Sequence, residues 1–105
     1  MTQADIQLTR NEAASQYEAR VPGEAEIALA QYTRTGDRLH LTHTEVPEHL
    51  EGRGVGSALV QYALEDARAA GLSVIPSCPF VAAYIQRHPS FRELVPPDAR
   101  SAFGL

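Results

Sequence analysis

The sequence predicts a single α/β (α+β) domain with a mixed, mostly antiparallel sheet of five to six strands and two main helices. Three observations support this prediction. Four strand-like segments separated by short turns fill the first half, a glycine-dense run follows them, and the rest alternates helix, short strand and helix. Segments joined by short turns pair antiparallel, whereas strands joined through a helix run parallel if they pair. A length of 105 residues suits one domain, so we expect residues 1–105 to fold together.

The four strands are predicted from alternating apolar and polar residues between turn signals. They are expected at residues 5–10, 16–21, 24–35 and 38–46, separated by a turn at 11–14, by Pro22-Gly23 and by Gly36-Asp37. In the fourth strand, Leu39 and Leu41 fall on one face. His40 and Thr42 fall on the other face, and Pro47 ends the strand.

The second half predicts two helices with a short strand between them. The first helix is expected from about residue 55 to 70, because its apolar residues fall on one stripe: Val55, Leu59, Ala63 and Ala67. Gly71 is placed to end it. A short buried strand is expected at residues 72–76, and a second helix from Pro79 to residue 87. We expect a last short strand at residues 91–95 and a C-terminal tail at residues 96–105, with Phe103 and Leu105 docking back.

Composition narrows the function. A net charge of −4 and nine basic residues without a dense run argue against nucleic-acid binding. One cysteine excludes an internal disulfide. No apolar run approaches the roughly 20 residues of a membrane helix, and the first ten residues do not resemble a secretory signal. We therefore expect a cytoplasmic protein with no membrane or nucleic-acid partner.

The glycine-dense run at residues 51–59 suggests an anion site. Gly52, Gly54 and Gly56 lie between a strand and a helix. The first N–H groups of a helix have no partner inside it, and together with the helix dipole they suit a phosphate or pyrophosphate. A flexible turn with a glycine helix start is the alternative. The two common nucleotide-loop patterns are absent, because no lysine follows the glycines and their spacing is not Gly-x-Gly-x-x-Gly.

This order of elements resembles the GNAT superfamily of acyl-CoA N-acyltransferases, and in particular its small single-domain, acetyltransferase-like members. The matching segments are residues 43–46, 50–59, 73–84 and 87–89. Gly54 and Gly56 fill the glycine positions of the motif Gln/Arg-x-x-Gly-x-Gly/Ala, whereas Glu51 stands where Gln or Arg is usual. The resemblance implies a minimal GNAT-like fold and an N-acetyltransferase that uses acetyl-CoA, with no metal.

The resemblance also implies where acetyl-CoA would lie. The backbone of the glycine loop would hold the pyrophosphate through Arg53, Gly54, Val55, Gly56 and Ser57. The edge of the fourth strand, at Thr44 and Val46, would bind the pantetheine arm where the fourth and fifth strands splay apart. A carboxylate beside a pyrophosphate is unfavourable, so Glu51 either points away or weakens binding, and Arg53 would offset it.

Four residues are candidates for the chemistry. Tyr84 lies near the position of the superfamily's thiol-protonating tyrosine, or simply closes the edge of the core. Cys78 precedes a helix N-terminus, as in the small members, and either forms an acetyl-enzyme or lines the thioester pocket. His43 and Glu45 lie on one face if alternation holds, and either would act as a base for the amine. The alternative for His43, which the sequence favours, is a half-buried sheet histidine with a backbone partner. We favour direct attack over an acetyl-enzyme.

The acceptor is the least determined part. Typical members place extra helices between their first two strands, and residues 11–15 leave no room for them. The acceptor surface is therefore expected to be open, or completed by another chain as in a homodimer, and to suit a protein or polyamine amine. Two alternative hypotheses are a non-catalytic CoA-binding module and a domain that kept the fold but lost its ligand. Glu51 supports the second, because its carboxylate disfavours a diphosphate.

The histidines are not expected to bind a metal, and His88 is expected to have a structural role. The chain's histidines and its cysteine have no recognised ligand spacing for a metal: His40, His43, His49, His88 and Cys78. The segment Arg87-His88-Pro89 is expected to cap the second helix, because cations favour its negative end.

Overall fold

A five-stranded sheet and two α-helices form the fold. The computed structural model describes residues 6–105, and the strands follow one another in the sheet in chain order. The strands are β1 (Gln7–Asn11), β2 (Gln16–Arg20), β3 (Ala28–Thr35), β4 (Arg38–Glu45) and β5 (Ser73–Ile75). The helices are α1 (Val55–Ala69) and α2 (Pro79–Arg87), and 3₁₀ segments cover Glu48–Leu50, Pro89–Leu94 and Pro97–Phe103. The predicted start of the first strand at Asp5 lies outside the described residues.

Strand directions confirm the predicted mixed, mostly antiparallel sheet. The β1–β2, β2–β3 and β3–β4 pairs are antiparallel. The β4–β5 pair, joined through α1, is parallel. This parallel pairing covers only three residue pairs and ends where His40 faces Ile75. The remainder of β4 therefore continues without a partner in β5.

α1 packs on the sheet through small and branched side chains. Its buried residues recur at helical spacing and include the predicted stripe of Val55, Leu59, Ala63 and Ala67. They share one apolar cluster with buried strand residues such as Ala30 and Leu39. The helix ends as predicted at Gly71, whose φ is +72°. The N–H of Leu72 donates to Ala67 O and that of Gly71 to Arg68 O, which is a Schellman motif.

The chain after α2 does not form the predicted last strand. Residues 91–95 were expected to be extended, but Pro89–Leu94 is a 3₁₀ helix. The reason lies in the spacing of apolar residues, because Phe91, Leu94 and Val95 cover one side of a helical segment rather than one side of a strand. Phe91 packs beside Tyr84, with their ring centroids 6.1 Å apart. Beyond it, residues 97–103 form a further 3₁₀ helix and Leu105 packs against the core.

β3 is shorter than predicted and β4 is irregular. The segment 24–27 was expected to belong to β3, but β3 begins only at Ala28. The N–H of Glu24 closes the Pro22-Gly23 turn by donating to Val21 O, and a bend at residues 25–26 leads into the strand. In β4, His43 faces Gln31 whereas Leu41 faces Tyr32. Thr42 is therefore one extra residue, a β-bulge that reverses the alternation of side chains after Leu41.

A buried hydrogen bond fastens α1 to the sheet. Tyr17 of β2 is 1% exposed, and its hydroxyl donates to Asp66 Oδ2 of α1 over 2.8 Å. Arg10 of β1 donates to the same oxygen, also over 2.8 Å. Burial of the side chain is the main cause that raises the pKa of Tyr17, and the bond to Asp66 raises it further.

No helix among residues 6–105 is both long and apolar enough to cross a membrane.

Replacement of Tyr17 by Phe is expected to lower the free energy of unfolding by about 1–2 kcal/mol, because the partly buried carboxylate of Asp66 loses one of its two donors. Tyr32→Phe is the matched control, since the Tyr32 hydroxyl has no hydrogen-bond partner within residues 6–105, and it should cost less than about 0.5 kcal/mol. Urea unfolding at neutral pH measures both changes.

Tyr17→Phe should also change how the free energy of unfolding depends on pH. The pKa of Tyr17 is higher in the folded than in the unfolded chain. Its contribution is therefore complete below about pH 10 and is lost as the pH rises further. The Tyr17→Phe protein should lose less stability above about pH 10 than the wild type, and equal losses would contradict the bond.

Candidate functional site

The loop from the end of β4 to α1 turns on glycines. Gly52 and Gly54 have φ angles of +79° and +77°, in the left-handed region that glycine adopts without steric cost. Gly54 is the residue directly before α1, and no side chain caps this end of the helix. The first turn of α1 also contains no acidic side chain.

The first amides of α1 are available to a ligand. The first intrahelical bond runs from Ala58 N–H to Gly54 O. The N–H groups of Val55, Gly56 and Ser57 consequently have no hydrogen-bond partner among residues 6–105. Three such donors at a helix N-terminus, next to a left-handed glycine, have the chemistry that suits an anion.

Main-chain groups of β4 point into the gap between β4 and β5, which opens beyond the last residue pair of these strands. The Tyr32 N–H donates to Ser15 O, on the β2 side, and main-chain directions alternate along a strand, so the Ala30 N–H also points toward β2. Thr44 faces Ala30 across β3 and β4. Thr44 therefore directs its own N–H and C=O away from β3 and into the gap.

A cavity of about 460 Å³ joins the two features. Its walls come from β4, the glycine loop, α1 and α2: Thr44, Val46, Leu50, Glu51, Gly52, Gly54, Val55, Gly56, Ser57 and Phe80. Six of the seven residues that the resemblance assigns to the cofactor are thus brought together. Arg53, the seventh, belongs to the same loop but is not among the lining residues.

Glu51 is part of the cavity wall. It directly follows the 3₁₀ segment Glu48–Leu50, and its N–H donates to Glu48 O. No arginine lines the cavity. The lining therefore combines backbone donors with one acidic residue, Glu51, and with no basic side chain.

Cys78 lies where β4 and β5 separate. Its N–H donates to Leu41 O over 3.0 Å, one step beyond the last β4–β5 pair. Its thiol is 3.5 Å from Thr44 Oγ1, and the residue is 6% exposed. Cys78 is not itself a lining residue, but it contacts Thr44, which is. The structure therefore places the thiol at the closed end of the gap.

Tyr84 lies outside the cavity lining, one turn further along α2 than Phe80. Its ring stacks on His88, with centroids 4.0 Å apart, and is 3% exposed. Burial raises the pKa of Tyr84, so its phenol stays protonated at neutral pH. Its hydroxyl has no hydrogen-bond partner within residues 6–105 and is not a buried unsatisfied group there, so it reaches solvent.

His43 and Glu45 lie together on the solvent-facing side of β4. Strict alternation would have placed them on the core side with Leu39 and Leu41, but the bulge at Thr42 turns them outward. Their side chains are 54% and 62% exposed, and His43 Nε2 is 3.7 Å from Glu45 Oε1. They stand on the opposite face of the strand from Thr44, whose main chain borders the gap.

His88 forms the predicted end of α2. Its N–H bonds to Tyr84 O and Ile85 O. Its ring Nδ1 is 2.9 Å from the Tyr84 carbonyl oxygen, which can only accept, so Nδ1 carries the proton. Within residues 6–105, no group of three or more His, Cys, Asp or Glu side chains is arranged to hold a metal ion.

Phe80 is a cavity residue that the sequence reasoning missed. It is 40% exposed, and a Cβ placed on Gly56 would lie 2.9 Å from its Cζ. The apolar pattern of α2 assigns an aromatic residue at this position to the core by default. Only the approach of α2 to the first turn of α1 shows that the ring stands over the glycine loop.

Comparison with known proteins gives a consistent result. A family model described as GCN5-related N-acetyl-transferase matches residues 16–94. Protein NATD1 of Gallus gallus is 29% identical over 85 residues, which cover 80% of this chain and 77% of the relative. Protein NATD1 of Mus musculus and of Homo sapiens are each 28% identical over the same length, covering 77% and 75% of those proteins.

Proposed function

The chain belongs to the GCN5-related N-acetyltransferase family, and from that premise we propose that it binds acetyl-CoA and transfers the acetyl group to an amine. The observation that carries the proposal is the cavity in which the free amides of α1 meet the unpaired main chain of β4. The amides of Val55, Gly56 and Ser57 hold the diphosphate. The N–H and C=O of Thr44 bond the amide groups of the pantetheine arm, much as an added strand would.

The reaction needs three things from the protein. The amine nitrogen attacks the thioester carbonyl, forming the C–N bond while the C–S bond breaks, and CoA leaves as a thiolate. A backbone N–H near Val46 stabilises the developing oxyanion. His43, oriented by Glu45, takes the proton that the amine loses, directly or through water. Tyr84 supplies a proton to the thiolate, which is the role that the resemblance to the family implies for it.

The acceptor approaches from the solvent-facing side of β4. His43 and Glu45 are both more than half exposed there, and the loop Glu12–Ser15 between β1 and β2 is too short to cover them. An open surface suits an amine on a protein or a polyamine, with a second copy of the chain as one way to complete the site. The overall charge of −4 is compatible with a cationic acceptor.

The first test combines ligand binding with Gly56→Ala. CoA should raise the thermal midpoint of the wild type, because a ligand that binds the folded chain stabilises it. The added methyl would lie 2.9 Å from Phe80 Cζ and 3.2 Å from Val46 Cγ2. Since the exposed ring can swing aside and alanine favours helix, unliganded stability should change by less than about 1 kcal/mol.

The dissociation constant for CoA should nevertheless rise about tenfold in Gly56→Ala, because the displaced ring and the methyl group narrow the cavity at the amides, a loss of about 1.4 kcal/mol. Titration calorimetry measures this. A wild-type midpoint that stays flat at millimolar CoA would overturn the proposal. Binding without transfer to any amine would identify a non-catalytic CoA-binding module instead.

The second test concerns the charge at Glu51. Glu51→Gln should tighten CoA binding about fivefold at low ionic strength, because one carboxylate beside the diphosphate is removed, and added salt should reduce the difference. Glu48→Gln is the matched control, since Glu48 lies in the preceding 3₁₀ segment but does not line the cavity. An equal gain in both variants would show a general charge effect.

The third test separates direct attack from an acetyl-enzyme. All nine basic residues are arginine, so the chain has no lysine that acetyl-CoA could acetylate. A hydroxylamine-labile acetyl group found by intact mass therefore reports Cys78. We expect none to accumulate without acceptor, and Cys78→Ser should keep most of the wild-type kcat. A labile adduct in the wild type that Cys78→Ser abolishes would establish the acetyl-enzyme.

Tyr84→Phe completes this third test. It should lower kcat at least about tenfold while leaving the KM for acetyl-CoA unchanged, because the hydroxyl acts only on the leaving thiolate. An unchanged kcat would leave Tyr84 as a packing residue.

A further inference from the structure

We infer that Phe80 holds the pantoyl part of the pantetheine arm and thereby selects donors that carry it, an inference that rests on the proposed function. Phe80 is the only large apolar side chain among residues 6–105 that is exposed, at 40%. A single exposed apolar residue is common on protein surfaces and is no argument by itself. What distinguishes Phe80 is its position in the wall of the cavity.

The packing of Phe80 fixes where along the donor it acts. Its Cζ approaches the backbone of Gly56, in the first turn of α1. The amides of that turn are those proposed to hold the diphosphate. In CoA the diphosphate joins the ribose on one side to the pantoyl unit, with its two methyl groups, on the other. A Cβ placed on Gly56 would lie 2.9 Å from Phe80 Cζ and 3.2 Å from Val46 Cγ2, so the ring stands on the side of the first turn that faces the end of β4. That side leads to the thioester, so the ring lies against the pantoyl methyl groups.

The other residues of the cavity wall face other parts of the donor. Thr44 stands at the other side, in contact with the buried thiol of Cys78 at the closed end of the gap. That end takes the thioester. Val46 and Leu50 add apolar wall between the two ends. Phe80 thus contacts the arm near the diphosphate and does not touch the reacting atoms.

Cover by the ligand also explains the exposure of the ring. Burying a phenylalanine side chain is favourable relative to leaving it in water, and part of that gain is still unrealised in the unliganded chain. The arm supplies it on binding. Because the contact is the same in the ground state and the transition state, it should appear in KM and not in kcat.

Three donors of graded length test this. Acetyl-CoA carries the pantoyl unit and the diphosphate, S-acetylpantetheine carries the pantoyl unit alone, and S-acetyl-N-acetylcysteamine carries neither. Phe80→Ala should raise KM about tenfold for the first two, or lower kcat/KM tenfold where saturation is not reached. It should leave kcat/KM for the third unchanged. Phe80→Leu should lie between the wild type and Phe80→Ala.

Controls keep the result interpretable. Phe103→Ala removes an aromatic ring that does not line the cavity, and the thermal midpoints of the unliganded variants report any damage to the fold. Equal losses on all three donors, or none on any, would overturn the assignment of Phe80. If the wild type neither binds CoA nor transfers acetyl groups, the proposed function fails and this inference fails with it. Wild-type activity with an unaltered Phe80→Ala profile defeats the inference alone.

Discussion

The separation of β4 from β5 is the feature on which the site depends. The two strands pair only from Arg38 to His40, and one further bond, from Cys78 N–H to Leu41 O, closes the pair. Beyond that bond, main-chain donors and acceptors of β4 face a gap instead of a neighbouring strand. Exposed strand edges normally invite pairing with other chains. Here the unpaired groups border a cavity with the N-terminus of α1 at its mouth, so they are placed to bind an extended ligand with its own amide groups.

The bulge in β4 gives the two faces of the strand different tasks. Without it, alternation would carry His43 and Glu45 to the core side, where their charges would lack water. The extra residue at Thr42 sends them to the solvent and brings Thr44 toward Cys78. In the proposed function β4 borders both a thioester and an exposed acceptor. It needs this change of phase, because one regular strand cannot continue the core through Leu41 and then present Thr44 to the cavity.

Most of the fold could be predicted because it is punctuated by strong local signals. Pro22-Gly23, Gly36-Asp37 and Gly71 each mark a turn or a helix end, and the stripe of α1 follows from its spacing. What could not be predicted depends on contacts between distant segments. The bulge at Thr42 has no signal of its own, since Thr42 itself fits regular alternation. Phe80 acquires its place only through the approach of α2 to α1. The 3₁₀ segment after Pro89 is too short for its helical spacing of Phe91, Leu94 and Val95 to be told from the pattern of a strand.

The two faces of the sheet differ in what covers them. Both helices and the 3₁₀ segment that contains Phe91 share one apolar cluster with the strands, so these elements cover one face of the sheet. The other side carries mainly polar residues, and even its buried carboxylate, Glu18, is held by Asn11 and Gln16 from the same face. Those bonds lower the pKa of Glu18, so it stays ionised at neutral pH. A surface that is already hydrogen-bonded within itself offers an acceptor few unsatisfied partners. Under the proposed function, selectivity on that side comes from charge and from the acceptor's own shape, whereas selectivity for the donor comes from main-chain groups.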